Sequence, residues 1–416
     1  MAKKSSPQET PTKGHQPDVV DRLSELSDDL LLPILTAAEL DMVTAVRTTL
    51  FNTRWRLFWK SFPSLWKSSP SLRFEAAGIP PARFHRLVEN ALDHRDPRSP
   101  LRLLSLTAAA TADVAATTTI STEWARVLDR IHDYGPAHRV PTLRFSAQAQ
   151  TANRPVYFSA RFACLCSAVQ NLDLSLLIFD LDELRSIASN FASVTSLRLH
   201  RCVIRRSSSS YSSSSPFDSI PYLKKLELAD CQFEAAAVTV SGNFLAEIVI
   251  VFSDTAPPQP RFKISASCCR FLTCRGIYLD YSVSADLPSL ESLELDARLR
   301  VDYAYPITAE ESSLMFVRVF EKFGNAERVK LSPNSIKALT CVPGLLEEQA
   351  SPFQRMKLVE LYGGIPTIKE FNSVISYLFH DNIRGPALFH RLNAGGDNSR
   401  RPVVVRKSDL LSLAPR

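Results

Sequence analysis

The stretch LKKLELADC, residues 223–231, decides how this chain is read. Leu226 and Leu228 stand two apart with Glu227 between them. In an extended backbone both leucines therefore face one way and the glutamate the other. Upstream, VTSLRLHRC (194–202) sets Leu197, Arg198 and Leu199 in the same phase, and Cys202 and Cys231 each follow the first leucine of their pair by five residues. A short strand with one apolar face has no core of its own. Recurrence supplies one, because copies stacked side by side bury a shared face.

Apolar-x-apolar pairs recur at Leu104/Leu106, Leu143/Phe145, Leu172/Leu174, Ile248/Ile250, Ile277/Leu279, Leu293/Leu295, Val329/Leu331 and Val359/Leu361. From 143 to 359 the first positions advance by 29, 25, 29, 22, 29, 16, 36 and 30 residues. Most of these steps lie in or near the ~20–29 residues of a leucine-rich repeat, L-x-x-L-x-L-x-x-N/C. The step of 16 is too short for a full repeat and marks either a misassigned neighbour or a trimmed unit. AERVKLSPN (326–334) fits more loosely, with Asn334 in the cysteine position. There Asn would hydrogen-bond loop backbone, while Cys serves as a small buried substitute.

Helical patterns at 123–135, 181–191 and 312–324 each precede a strand, and 367–379 follows the last one as a cap. Gly324 is well suited to follow a helix C-terminus. The run SSSSYSSSSP (207–216) reads as a flexible surface loop. The expected fold class is α/β: parallel strands line a concave face, with helices and irregular segments on the convex side, over residues 66–392. An arm at 1–20 is expected to be disordered and the tail from 393 to 416 loosely held.

Ahead of the repeats, residues 21–59 read DRLSELSDDLLLPILTAAELDMVTAVRTTLFNTRWRLFW. Ser27 suits an N-cap, and Asp28 and Asp29 complement the helix dipole in a first turn. Leu30, Leu31, Ile34 and Leu35 form one apolar stripe, and Val43, Val46, Leu50 and Phe51 begin another that closes on Trp55 and Trp59. The segment is too short to bury this surface within itself and reads as a docking module. A helix that starts at Asp28 holds Pro33 in its interior, at a cost of ~3 kcal/mol or more. A helix that starts near Pro33 avoids the cost but leaves Leu30 and Leu31 off the stripe.

The order DRLSELSDDLLLPIL, AVRTTLFNTRWRLFW, FPSL (62–65) and SLRFE (71–75) resembles the F-box of plant F-box/leucine-rich-repeat proteins. Asp21, Arg22, Leu23, Ser24, Leu26, Asp28, Leu30, Leu31, Ile34, Leu35, Ala45, Val46, Arg54, Trp55 and Trp59 carry the match. Ser27 and Pro33 depart from the family pattern, which has Pro and a helix former there. The resemblance implies a helical F-box at 21–65 that docks a Skp-type adaptor, and through it a cullin–RING ubiquitin ligase. Docking would use Leu23, Leu26, Leu30, Leu31, Ile34, Leu35, Val46, Trp55 and Trp59. The repeats would hold a target protein through outward residues such as Arg198, His200, Glu227, Glu294 and Lys330. An alternative is an F-box-derived scaffold or receptor no longer engaged with the ligase.

Composition narrows the field. Hydrophobic residues make up 45% and charged ones 22%, which are globular values. A net charge of +6 reads as a solvated surface, and outside Arg54–Lys60 no basic cluster is interleaved with aromatics, so no nucleic-acid partner is expected. No apolar run approaches the ~20 residues of a membrane span, and the lysine-bearing N-terminus lacks a secretory apolar core. Cytoplasm or nucleus is the expected location. The eight cysteines form no CxxC pair, so neither a metal site nor a cofactor is expected. GxSxG, GxxxxGK[ST], HExxH and GxGxxG are absent. His132–Asp133 and His380–Asp381 read as surface pairs. The expected role is non-catalytic.

Overall fold

Pairs of buried apolar side chains run in register across a twelve-stranded sheet. The structure, a computed structural model, describes residues 25–37, 42–48, 53–76, 79–110, 140–149, 156–157, 169–180, 193–205, 217–218, 220–235, 237–253, 260–278, 284–298, 308–362, 367–379 and 403–408. The chain divides into two compact units, Met1–Leu65 and Trp66–Arg416.

The second unit is a mixed α/β structure built on that sheet. Its strands, in spatial order, are β1 (Ser71–Glu75), β2 (Leu103–Ala110), β3 (Thr142–Ala149), β5 (Asn171–Ser175), β7 (Ser196–His200), β9 (Lys225–Ala229), β12 (Glu247–Val251), β14 (Phe271–Tyr278), β16 (Ser292–Arg298), β17 (Arg328–Leu331), β18 (Leu358–Leu361) and β19 (Val403–Arg406). Every pairing is parallel except the last, β18 with β19. Two smaller parallel sheets accompany it. One orders β10 (Gln232–Phe233), β8 (Val203–Arg205), β6 (Leu177–Asp180) and β4 (Val156–Tyr157); the other orders β11 (Ala237–Ser241), β13 (Arg261–Ser265) and β15 (Ser284–Asp286).

The repeated pairs explain the main sheet. Leu172, Leu197, Leu226, Ile248, Leu272, Leu293, Val329 and Val359 form one buried row, aligned partner to partner. Each such side chain contributes ~1.5–3 kcal/mol by leaving water. The strands' other face is polar and solvated. An uncovered face is unusual for parallel strands, which normally bury both sides.

Two backbone devices recur. One carbonyl ahead of each strand accepts two N–H groups from the next repeat: Thr195 from Lys224 and Lys225, Lys224 from Ala246 and Glu247, Ala246 from Arg270 and Phe271. After the strand the chain turns a sharp corner. Leu176, Arg201 and Asp230 take left-handed φ values of 59°, 52° and 52°, and each donates its N–H to the last carbonyl of the following strand. The corner directs the next residue inward. Cys202 and Cys231 are buried there, and their thiols donate to the Leu174 and Leu199 carbonyls of the preceding repeat at 3.4 and 3.3 Å.

Three sequence readings are corrected. The short step disappears because Ile277/Leu279 is not the pair of its repeat. Leu272 and Cys274 align with Ile248 and Ile250, so the steps from 248 to 272 and from 272 to 293 are 24 and 21 residues. Beyond them Gly276, at φ 67°, occupies a register shift in β14. Asn334 is not a buried corner. It is exposed and donates to Asp296 at 3.2 Å, while the buried Ser335 hydroxyl bridges Leu295 O and Ala297 N, both at 2.9 Å. Part of the expected loose tail, Val403–Arg406, is the antiparallel strand β19. In addition the buried pairs begin earlier than Leu104, at Leu72 and Phe74 of SLRFE.

The first described helices of the chain are α1 (Asp28–Ala37), α2 (Met42–Thr48), α3 (Thr53–Ser61) and α4 (Ser64–Lys67). Those that follow are α5 (Pro81–Asp93), α6 (Ala309–Glu321), α7 (Pro333–Thr340), α8 (Leu345–Glu348) and α9 (Ile368–Phe379). A capping box starts α6: Thr308 accepts from Glu311 N at 3.1 Å while the Glu311 carboxylate accepts from Thr308 N at 2.9 Å. Phe320 of α6 packs against Phe353 and Tyr377, with centroids 4.9 and 6.5 Å away. The helical patterns at 123–135 and 181–191, the serine run, the arm at 1–20 and the two His–Asp pairs lie outside the described residues.

Candidate partner-docking surfaces

The helical unit closes a small core after all. Leu31, Trp55 and Phe58 are buried together, with Leu26, Leu32, Leu35, Phe62 and Leu65 packed against them. Phe58 sits between Trp55 and Phe62, at centroid distances of 6.1 and 4.9 Å. The Ser27 backbone carbonyl begins α1 by accepting from Leu30 and Leu31 N at 3.1 and 3.0 Å. Arg54 ties α3 to that turn, donating to the Leu26 carbonyl and pairing with Asp28 at 3.2 Å. The Trp59 indole donates to Thr48 Oγ1 at 2.7 Å.

The residues expected to dock an adaptor thus divide. Leu31 and Trp55 are core, Leu26 and Leu35 pack against the core, and Trp59 is held by Thr48. Leu30, Ile34 and Val46 are exposed at 54%, 44% and 45%. Leu57, which was not singled out from the sequence, joins them at 55%. Leu23 lies outside the described residues. Pro33 is interior to α1, between Leu30 and Ile34. Its missing N–H and its ring weaken the helix in the middle of the exposed stripe.

In the repeat unit the residues between paired apolar positions form a ladder on the solvated face. Arg144, Asp173, Arg198 and Glu227 align across β3, β5, β7 and β9. Asp173 pairs with Arg144 at 2.9 Å and with Arg198 at 3.9 Å, and Arg198 pairs with Glu227 at 3.0 Å. A second ladder lies across β14, β16 and β17. Glu294 accepts from Arg275 Nε at 2.6 Å and pairs with Lys330 at 3.4 Å, and the Lys330 ammonium lies 5.0 Å from the Tyr362 ring centre. Between the ladders the same row holds Val249 and Thr273.

All five expected target-facing residues lie on this face, but in two groups. Arg198, His200 and Glu227 belong to the first ladder's strands, and Glu294 and Lys330 to the second. Asp173 and Arg144 were readable by the same alternation that gave Arg198; Arg275 was not, because the pair Ile277/Leu279 puts it on the inward phase and only the register shift at Gly276 turns it out. Half-burial, with help from Arg201 and Arg198, holds the His200 pKa below the ordinary histidine value against the opposing pull of Asp230 and Asp173. Burial pushes the Tyr362 phenol up, reinforced by Asp296 and Glu294. An open depression of about 410 Å³ adjoins the second ladder, lined by Phe271, Thr273, Glu294, Arg328, Lys330 and Leu358 among others.

Among the described residues, no three His, Cys, Asp or Glu side chains group as a metal site, and no helix is long and apolar enough to cross a membrane. Burial raises the Cys269 thiol to about 12, which removes its thiolate at neutral pH. No protein-family model matches the chain, and no curated protein matches it.

Proposed function

We propose that this chain is an F-box/leucine-rich-repeat protein of the plant type, the target-recognition subunit of a Skp–cullin–F-box ubiquitin ligase. One observation supports this best: a small helical unit that keeps Leu30, Ile34, Val46 and Leu57 exposed shares a chain with a long parallel repeat sheet whose outer face is solvated. The exposed residues dock the Skp-type adaptor. The repeat unit, a solenoid in this reading, holds the target protein on its outer strands. The chain does no covalent chemistry and works by proximity, turning a bimolecular encounter between target and conjugating enzyme into a tethered one. It acts where such ligases act, in cytoplasm or nucleus.

Co-expression with a Skp-type adaptor tests the proposal. The full chain is expected to co-purify with the adaptor. If neither the full chain nor its 21–65 segment retains the adaptor at micromolar concentration, the ligase reading fails and a free-standing scaffold or receptor replaces it.

A further inference from the structure

Four large hydrophobic side chains are exposed among the described residues of Trp66–Arg416, and three of them gather at one place. Tyr222, Phe244 and Phe271 are 56%, 53% and 41% exposed at the N-terminal rim of the consecutive strands β9, β12 and β14. Tyr222 stands four residues ahead of Leu226, and Phe244 four ahead of Ile248. Their rings lie side by side, centroids 6.2 Å apart and planes 31° from parallel, as one continuous platform. Phe271 joins the same rim, since its N–H donates at 3.0 Å to Ala246, two residues past Phe244. An aromatic ring gains most by leaving water, and folding leaves these three in it.

The charges of the rim say what would cover the rings. Lys225 pairs with Glu247 at 2.6 Å, Arg270 with Glu291 at 2.6 Å, and Lys357 with Glu327 at 2.7 Å. Lys224 and Arg328 have no carboxylate at salt-bridge distance among the described residues; Arg328 acts on Glu291 from further off, and Asp218 bonds Ser241 three residues ahead of Phe244, so the rim keeps a small surplus of positive charge. Arg328 and Phe271 also line the depression beside the second ladder, so the rim leads onto the outer face there.

We infer that this rim docks a protein segment carrying a bulky apolar side chain, aromatic or leucine, flanked by acidic residues. The apolar side chain covers the Tyr222–Phe244 platform, and the flanking carboxylates meet Lys224 and Arg328. A single-stranded nucleic acid also stacks on aromatic rings, but it needs a cationic track for its phosphates. Here Glu247, Glu291 and Glu327 neutralise Lys225, Arg270 and Lys357, so only separate cations are left and no continuous track for a phosphate chain. The inference rests on the repeat unit being the target-binding half, and it extends recognition from the centre of the strands to their rim.

A random peptide display library screened on the full chain tests it, with an oligo-dT strand as the competing ligand. Selected peptides are expected to carry an aromatic residue or leucine beside Asp or Glu. A synthetic copy is expected to lose about tenfold or more in affinity for Tyr222→Ser/Phe244→Ser. Lys224→Glu/Arg328→Glu is expected to weaken it as much and to favour a charge-reversed peptide. All four side chains are exposed or make no core contact, so an unchanged thermal melt certifies the fold. Failure to select any peptide, selection of basic peptides, or equal binding to the aromatic double variant overturns the inference. So does oligo-dT binding that both double variants abolish. The adaptor takes no part in this assay, so its outcome is separate from that of adaptor co-purification.

Discussion

Ser335 shows how one hydroxyl holds two turns together. It is fully buried, donates to Leu295 O and accepts from Ala297 N, both at 2.9 Å. Ser335→Ala takes the hydroxyl acceptor from the buried Ala297 N–H, while Leu295 O keeps the Ser332 N–H at 3.1 Å, and is expected to cost ~1–3 kcal/mol, read as a lower denaturant midpoint. Gly324 was legible as a special residue, but for the wrong reason. It is absent from the positive-φ glycines, and a Cβ there would lie 2.6 Å from the Pro352 carbonyl oxygen. Gly324→Ala is therefore expected to destabilise by ~1–3 kcal/mol through overpacking, with no remedy from a backbone twist. His200 adds a pH signature. Its folded pKa lies below the ordinary 6.5, so the unfolded chain takes up a proton that the folded chain resists. Stability from this group is intact above the ordinary value, falls as pH drops from there to the folded pKa, and then levels. His200→Gln is expected to flatten that part of the fall in denaturant midpoints measured across mild acid. Cys202 and Cys231 were legible at this scale because their fixed distance from the leucine pair is a sequence property. Ser335 was not, because its partners lie 40 and 38 residues away.

Among the elements, strands were easier to read than their registers. Period-two alternation marks a strand, but it does not say which pair of a longer run joins the neighbours. FLTCRGIYL offers both Leu272/Cys274 and Ile277/Leu279, and only pairing with Ile248 and Leu293 selects the first. The capped helices α6 and α9 were legible from apolar spacing; for α9, Thr367 accepts from Glu370 N at 3.3 Å and the Glu370 carboxylate from Thr367 N at 2.8 Å. The four-stranded small sheet was not, because strands as short as Gln232–Phe233 leave no periodic trace; β11 and β13 alternate over five residues but fall outside the spacing of the leucine pairs. For α1 the sequence left two starts open. The helix runs from Asp28, so Pro33 is interior and carries the larger penalty. Pro33→Ala is expected to raise helical content by circular dichroism and to stabilise the helical unit by up to ~3 kcal/mol.

At the scale of the whole molecule, division into Met1–Leu65 and Trp66–Arg416 separates two surfaces with different jobs in the proposed function. Apolar residues of the first segment were legible as a group, but their sorting was not. Leu30 and Leu31 are neighbours in sequence, yet one is 54% exposed and the other 2%. Helix periodicity alone put both on one stripe, and only contact with Trp55 and Phe58 distinguishes them. This sorting makes the central claim testable without unfolding the protein. Leu31→Glu would bury a charge and collapse the small core, whereas Leu30→Glu/Ile34→Glu alters only exposed positions. The decisive measurement is the affinity of the full chain for a purified Skp-type adaptor, before and after Leu30→Glu/Ile34→Glu, with melting temperature as the control. Micromolar or tighter binding is expected, weakening about a hundredfold or more in the double variant while the melt is unchanged. Equal binding by both proteins, or no binding by the unaltered chain, would contradict it.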